Sequence, residues 1–600
     1  MKTLLIAINS KYIHSNLAVY YLREYASKYE VSQREGIKRG TSINIAEYTI
    51  NQPFEKILQS IYREKPDLLA FSCYIWNIEI IKRLCLELRK VLPNCKIWLG
   101  GPEVSYDSKD YLIKNQEVDG IMLGEGEETF SEIINYYLRE GKNRQTLDEV
   151  KGIVFRKNIL KKESNEVIYT GLRPFLNFNS ISFPYNDLSG FENKIIYYES
   201  SRGCPFSCSY CLSSVDKSLR HRDIELVRDE LNFFLKHKVK QVKFVDRTFN
   251  CKKDHALAIW KHIQKNDNGI TNFHFEIAVD LLDDEQIQLL GTMRSGLVQL
   301  EIGIQSTNRD ALKAINRKTD LKKIGINVNK IRKSGNIHQH LDLIAGLPYE
   351  NYESFRNSFN EVYALKPDQL QLGFLKVLKG TPMADNSEEH KIAYRDIPPY
   401  EVLYTKWINY DEILDLKLVE EMVDVYYNSA QFTISVKFME HFFDTPFNLY
   451  KELGEYYRAN ELLDLRHKRV TRYEILLEFM KPRLSNIEGF REILTYDLYL
   501  RENLKARPKF AFGQNKYKDF FEKIFANEDL IKKYLEIKDS KISLGRAKQF
   551  FYIEHFNIDV EKSAKEGEYI YDSQLILFDY KNRNPLNHNA KTKKITEKLV

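Results

Sequence analysis

Cysteine is scarce in this chain, seven residues among 600. An odd count in so long a chain excludes the disulfide framework of a small secreted domain, and a reducing compartment leaves thiols free to bind metal. A long hydrophobic run is missing too: no stretch approaches the ~18 to 20 apolar residues that cross a bilayer. The N-terminus has one early lysine and a short apolar run, but no small-residue cleavage site, and Asn9 and Lys11 interrupt it. It reads as a first β-strand and not as a signal peptide, so the expected location is the cytoplasm. Charge of one sign is not in excess: 90 basic residues face 84 acidic ones. That balance lacks the clustered basic footprint of a nucleic-acid binder. No solenoid-length repeat and no low-complexity tract interrupts the chain.

What is present is core-forming material, 43% hydrophobic with 13% aromatic residues, in a length that implies about three to four domains. Strand and helix patterns alternate over residues 1–150, with strands expected at 3–8, 43–48, 67–73, 96–100 and 119–123 and helices at 16–29, 54–64, 77–91 and 127–139. This is the pattern of a parallel, Rossmann-like α/β sheet. Residues 151–192 read as a linker of short strands and turns. A second alternation follows, with strands expected at 195–199, 241–246, 273–278, 297–303, 340–345 and 369–375. Six βα units over residues 193–390 suit a partial barrel and are too few for the closed eight-stranded form. Residues 391–600 carry helical periodicity, as at 400–413, 473–480 and 520–535, and read as a mainly helical domain with a frayed tail from about Pro585.

The strongest chemical signal is Arg202-Gly203-Cys204-Pro205-Phe206-Ser207-Cys208-Ser209-Tyr210-Cys211. Thiolates suit iron–sulfur clusters. Three cysteines in one short loop can hold three irons of a cubane and leave the fourth open. The competing reading is structural zinc, which usually takes four ligands. No fourth Cys or His lies at usual spacing, His221 being ten residues beyond Cys211.

The stretch resembles the radical S-adenosylmethionine (SAM) superfamily, whose signature is Cys-x3-Cys-x2-Cys with an aromatic residue, here Tyr210, before the third Cys. The resemblance implies a 4Fe-4S cluster on Cys204, Cys208 and Cys211. Its open iron would chelate SAM, and one electron would release a 5′-deoxyadenosyl radical. It also implies a reductant such as flavodoxin or ferredoxin. By the same likeness Asp246, in Val245-Asp246-Arg247-Thr248-Phe249-Asn250, would stand in for the usual Gly-Gly-Glu that holds the methionyl amino group. Gly303-Ile304-Gln305-Ser306 with Asn316-Arg317 resembles the fourth-strand region of oxygen-independent coproporphyrinogen oxidases, with Arg317 on the methionyl carboxylate. Asp342, in the fifth-strand stretch Leu341 to Pro348, or Glu276 on the third, would reach the ribose. A lone Arg or Asp of this kind can equally be a surface ion pair.

The first domain resembles the cobalamin-binding domain of a large radical SAM subclass, through Ser72-Cys73-Tyr74, Gly100-Gly101 and Gly124-Glu125-Gly126-Glu127. Glycine-rich turns allow the close backbone approach that a nucleotide tail needs. The cobalt-ligating motif Asp-x-His-x-x-Gly is not met, because Tyr12 and Leu17 flank His14. A fragment of residues 1 to about 150 is expected to retain cobalamin, and His14→Ala to leave the cobalamin spectrum nearly unchanged. The competing reading is a degenerate domain that binds nothing. Methylthiotransferases carry a second cluster on three N-terminal cysteines, but Cys73, Cys85 and Cys95 do not occupy converging strand-end loops.

Cys251 follows the second barrel strand and is a candidate catalytic thiol facing substrate, or inert packing. Three functions follow: methyl transfer from cobalamin to an unactivated carbon, radical rearrangement or cyclisation without methyl transfer, and a cluster-bearing sensor without turnover. The substrate, a small molecule or peptide, is not written in the sequence.

Overall fold

The computed structural model describes residues 1–32, 42–139, 146–157, 166–504, 506–514, 517, 519, 521–523 and 550–595. The first sheet is built on β1 (Lys2–Asn9), β2 (Ser42–Thr49), β3 (Leu68–Ser72), β4 (Lys96–Gly100) and β5 (Gly120–Met122), all parallel. Their apolar runs, such as Leu68-Leu69-Ala70-Phe71, are buried on both faces, as helix-covered parallel strands require. Helices Leu17–Ser32, Phe54–Glu64, Ile78–Val91 and Gly126–Arg139 provide the crossovers. The order β2-β1-β3-β4-β5 reverses direction between β1 and β3. A crevice opens at such a switch point, at the carboxyl ends of the strands.

The expected linker is in part sheet. β6 (Ile153–Arg156) pairs antiparallel with β5, and β7 (Val167–Tyr169) antiparallel with β6, extending the sheet to seven strands. Ile153, Val154 and Phe155 are buried, so these short strands cover the edge that β5 would otherwise leave open.

The second sheet comprises β8 (Ile196–Tyr198), β11 (Gln241–Phe244), β12 (Asn272–Ile277), β13 (Val298–Gln305), β14 (His338–Ala345) and β15 (Gln369–Phe374), in the order β15-β14-β13-β12-β11-β8. This is the expected six-stranded partial barrel. A two-stranded ladder of β9 (Ser201–Arg202) and β10 (Arg220–His221) brackets the cysteine loop. Behind β11 and β12, Phe244, Phe249, Phe275 and Trp260 form one aromatic core, with Phe249 and Phe275 centroids 4.3 Å apart.

The chain divides into two compact units. The first comprises Met1–Glu301, Leu312–Asp320 and Phe374–Lys406; the second comprises Ile302–Ala311, Leu321–Gly373 and Trp407–Val600. In the first, residues 374–406 return to the N-terminal sheet, where Lys379 pairs with Asp107 at 2.8 Å and the Tyr400 hydroxyl donates to Glu103. β16 (Ala393–Tyr394) and β17 (Val402–Tyr404) form a hairpin there. The helix expected at 400–413 therefore starts later, as Tyr410–Val423, where Asn409 and Glu412 make a reciprocal capping box.

In the second unit, helices Tyr410–Val423, Thr433–Met439, Pro446–Ala459, Arg469–Met480 and Ile487–Arg501 pack on buried tyrosines including Tyr426, Tyr450, Tyr473 and Tyr496. Of the helix expected at 520–535, residues 521–523 are described and helical; the rest lies outside the described residues. The frayed tail is corrected: β18 (Phe551–Phe556), β19 (Gln574–Asp579) and β20 (Lys591–Ile595) form an antiparallel sheet. β19 is buried along its whole length and needs a partner on each side. Among the described residues, no helix is long and apolar enough to cross a membrane.

Candidate functional site

The cysteine loop leaves β9 through Gly203, whose φ of +89° places it where a side chain is strained. A Cβ there would fall on the Ser218 carbonyl oxygen. Glycine is thus what lets the loop turn tightly past its own exit. Backbone bonds hold the loop: Cys204 N donates to Asp216 O (3.1 Å), Ser209 N to Ile315 O (2.9 Å), and Met383 N to Ser209 O (2.9 Å). Asn316 Nδ2 donates to Ser207 O at 3.0 Å. With the main chain satisfied elsewhere, the thiols remain for a ligand, and all seven cysteines are free.

Cys204 and Cys208 are buried and Cys211 is half-buried. Burial pushes the Cys208 thiol up, and the Arg317 guanidinium opposes it, with Nη1 3.7 Å from Sγ. The Thr248 hydroxyl lies 3.7 Å from Cys204 Sγ. Tyr210 is half-buried beside Arg317, and desolvation pushes its hydroxyl up. A triad of soft ligands, two of them buried, with a cation and a hydroxyl around it fits an anionic iron–sulfur cluster.

Asp246, expected on the methionyl amino group, has its carboxylate engaged within the chain. Its carboxylate accepts from Ser200 N (2.9 Å), Ser200 Oγ (2.7 Å) and Ser201 Oγ (2.6 Å). It therefore braces the chain entering the cysteine loop. Burial pushes its carboxyl up to about 6 despite those bonds. Glu276 on β12 is raised by burial and lies 3.9 Å from Arg247, a half-exposed cation at the end of β11. Cys251 is half-buried in the turn after β11, and burial pushes its thiol up to about 11. It keeps its S–H at neutral pH, which suits a hydrogen donor and not a thiolate nucleophile. Two expected residues belong to the second unit. Gln305 ends β13 at φ +74°, buried, and Asp342 on β14 lies 3.1 Å from His340 Nε2.

A cavity of about 1360 Å³ opens at the switch point of the first sheet. Ser72, Gly100, Gly101 and Gly124 line it, and an apolar slot reaches Leu5, Val19 and Leu22. Ser72 Oγ accepts from Asn16 Nδ2 at 3.2 Å. Gly101 has φ +111°, and a Cβ on it would collide with the Cys73 carbonyl. Gly124, at φ +69°, has nothing within 4 Å of where its Cβ would be, so the cavity comes up to the bare backbone. That open turn and apolar slot fit a large planar group with a nucleotide tail. The same cavity is lined by Glu199, Arg202, Leu212, Val215 and Arg247 of the barrel side. His14 also lines it, with Nδ1 2.7 Å from the Tyr197 hydroxyl, and burial keeps its imidazole neutral.

Glu125 and Glu127 also line the cavity. Both carboxylates bind Arg202, at 3.0 and 2.6 Å. Sequence reasoning missed Arg202, Glu127 and Arg220 because their partners are some 75 to 95 residues away, as the separations 75, 77 and 95 record. The one signal was the alternation Gly-Glu-Gly-Glu, which puts two acids on one turn. Tyr169, Leu172 and Phe175, from the presumed linker, also line the cavity. Cys73, Cys85 and Cys95 are buried packing, and burial pushes the Cys95 thiol up to about 12.

Comparison with known proteins agrees with this geometry. Residues 3–134 match a B12 binding domain, residues 198–362 the Radical SAM superfamily, and residues 388–578 a protein family of unknown function, DUF4080. The cobalamin-dependent radical SAM methyltransferase TokK of Streptomyces tokunonensis is 25% identical over 404 residues, 63% of this chain and 57% of that one. The 2-(S-pantetheinyl)-carbapenam-3-carboxylate methyltransferase of Streptantibioticus cattleyicolor is 27% identical over 50% of this chain and 45% of its own. The chain thus spans about half the length of these curated relatives. The cobalamin-dependent radical enzyme OxsB, solved with aqua-cobalamin and SAM, shares the fold with TM-score 0.57 at 15% identity, over 91% of this chain and 82% of that one.

Proposed function

Because the chain belongs to the radical SAM superfamily, in the subclass that carries a cobalamin-binding domain, we propose that it is a cobalamin-dependent radical SAM enzyme that methylates an unactivated carbon. The observation that carries this reading is the single cavity lined at once by Ser72, Gly100, Gly101 and Gly124 of the first sheet and by Arg202, Leu212 and Val215 around the cysteine loop. When bound, the 4Fe-4S cluster would supply the electron that cleaves SAM to a 5′-deoxyadenosyl radical, and cobalamin would supply the methyl carrier. Cys204, Cys208 and Cys211 would hold the cluster, and Arg317, beside the Cys208 sulfur, would compensate its negative charge and present a guanidinium fork to the SAM carboxylate. The bare Gly124 turn and the apolar lining at Val19 are the residues that would hold the cobalamin. Leu172 and Phe175 add apolar surface to the same cavity. A one-electron donor such as flavodoxin or ferredoxin completes the system; the substrate is a small molecule or peptide.

The test is anaerobic reconstitution of the full chain. About four irons per chain are expected, with cobalamin retained through gel filtration and 5′-deoxyadenosine formed on reduction with SAM. Replacing Cys204, Cys208 and Cys211 together by Ala removes the cluster's visible absorption. A cluster retained in that variant, or no cleavage with any reductant, overturns the proposal.

A further inference from the structure

The turn after β5 has two faces. Gly124 looks onto open space in the cavity, whereas Glu125 and Glu127 reach across to the cysteine loop. Arg202, separated from Cys204 by Gly203 alone, takes three carboxylates. Nη1 lies 3.0 Å from Glu125, Nη2 2.6 Å from Glu127, and Nη2 2.6 Å from Glu199. Its guanidinium also sits over the rings of Tyr21 and Phe178, at 5.5 and 5.0 Å. The exit of the loop is held by the same turn: Arg220 Nη2 lies 2.9 Å from Glu125 and 3.3 Å from Asp216. Asp216 in turn accepts the Cys204 amide on its carbonyl. One carboxylate, Glu125, therefore grips both ends of the cluster loop, and Leu176 N fixes its other oxygen at 2.8 Å.

We infer that Glu125, Glu127 and Arg202 are positioning residues that set the separation between the iron–sulfur cluster and the cobalamin. This inference rests on the proposed pair of cofactors. The guanidinium is planar with donors in a fixed fork, and its partners are nearly buried, so the contact defines an orientation as well as an attraction. Radical transfer and methyl transfer must meet at one substrate carbon, and an ångström of drift between the two centres is felt in rate. Simple fold-gluing makes no demand on that distance.

The experiment uses the full chain loaded with both groups. The reduced cluster and cob(II)alamin each carry an unpaired electron, so pulsed electron paramagnetic resonance reads their dipolar coupling as a distance distribution. The natural chain is expected to give one narrow distribution. The double variant Glu125→Gln, Glu127→Gln keeps the shapes and removes the charges. It is expected to bind both groups at the natural stoichiometry and to give a broader, shifted distribution. An unchanged distribution at full loading overturns the clamp. Should the double variant lose its cluster, Glu127→Gln alone, which leaves Glu125 on both arginines, is read against the same two outcomes. A natural chain that fails to hold both groups overturns the proposed function and takes the clamp with it, a result distinct from coupling that the variants leave unchanged.

Discussion

Arg317 Nη1 lies 3.7 Å from the Cys208 sulfur, and the proposed function gives the same guanidinium a second anion, the carboxylate of SAM. Losing a charge-assisted contact of that kind costs about 2 to 3 kcal/mol. Arg317→Ala is therefore expected to weaken SAM binding by that amount, measured by calorimetry on the reconstituted protein. Affinity equal to the natural chain would remove Arg317 from the site. A second residue-level effect is independent of any cofactor. Glu350 in the second unit is buried, accepts from Ser306 Oγ (2.5 Å) and Ser358 Oγ (3.1 Å), and burial pushes its carboxyl up to about 7. Its folded form binds a proton more tightly than its unfolded form. The stability it contributes is fully present below about 4.5, the ordinary value, and is lost as pH rises through about 7. The full effect is on the order of 3 kcal/mol. Glu350→Gln is expected to flatten the fall in unfolding temperature between those pH values. A parallel offset between the two profiles would count against it.

At the scale of elements, the cysteine loop depends on Gly203 as much as on its thiols. Gly203→Ala adds the strain of a positive φ, roughly 1 to 2 kcal/mol, and puts a methyl on the Ser218 carbonyl. The expected result is a folded chain with reduced iron content after reconstitution, checked by iron analysis beside circular dichroism. Normal iron content would mean the loop has another turn available. The C-terminal sheet gives an opposite lesson to the frayed tail expected from its lysines. β20 is an edge strand whose Lys591, Lys593 and Lys594 discourage further pairing, while Ile595 is buried against the sheet. Removing residues 586–600 is expected to leave β19 without a partner on one side and to lower the unfolding temperature of the full chain. A truncated chain that melts with the natural one would show β20 to be dispensable.

At the scale of the whole molecule, the cavity proposed for cobalamin is not the property of the first 150 residues. Tyr169, Leu172, Phe175, Glu199 and Arg202 complete it, and β6 and β7 cover the edge of the sheet beyond residue 150. The fragment of residues 1–150 is therefore expected to hold cobalamin more weakly than the full chain, in contrast to the expectation from sequence. Equilibrium dialysis of both decides it: equal affinity would confine the pocket to the first five strands. His14→Ala keeps its expected small effect on the spectrum, because the ring is already engaged with Tyr197.

The sequence by itself determined the elements whose signal is local. Apolar runs bounded by Gly and Pro placed β1 to β5 and the six barrel strands, since periodicity and turn chemistry act over a few residues. The cluster cysteines were legible for the same reason, three thiols within one loop. What only the tertiary structure decided involves partners far apart in the chain. Asp246 was read as a ligand to SAM, but Ser200 and Ser201 claim its oxygens from 46 and 45 residues away. Glu125 was read only as part of a cofactor turn, and the fold also brings it two arginines from either side of the cysteine loop. A buried carboxylate must find cations or donors, and a sequence shows that need without showing which distant groups the fold brings to meet it.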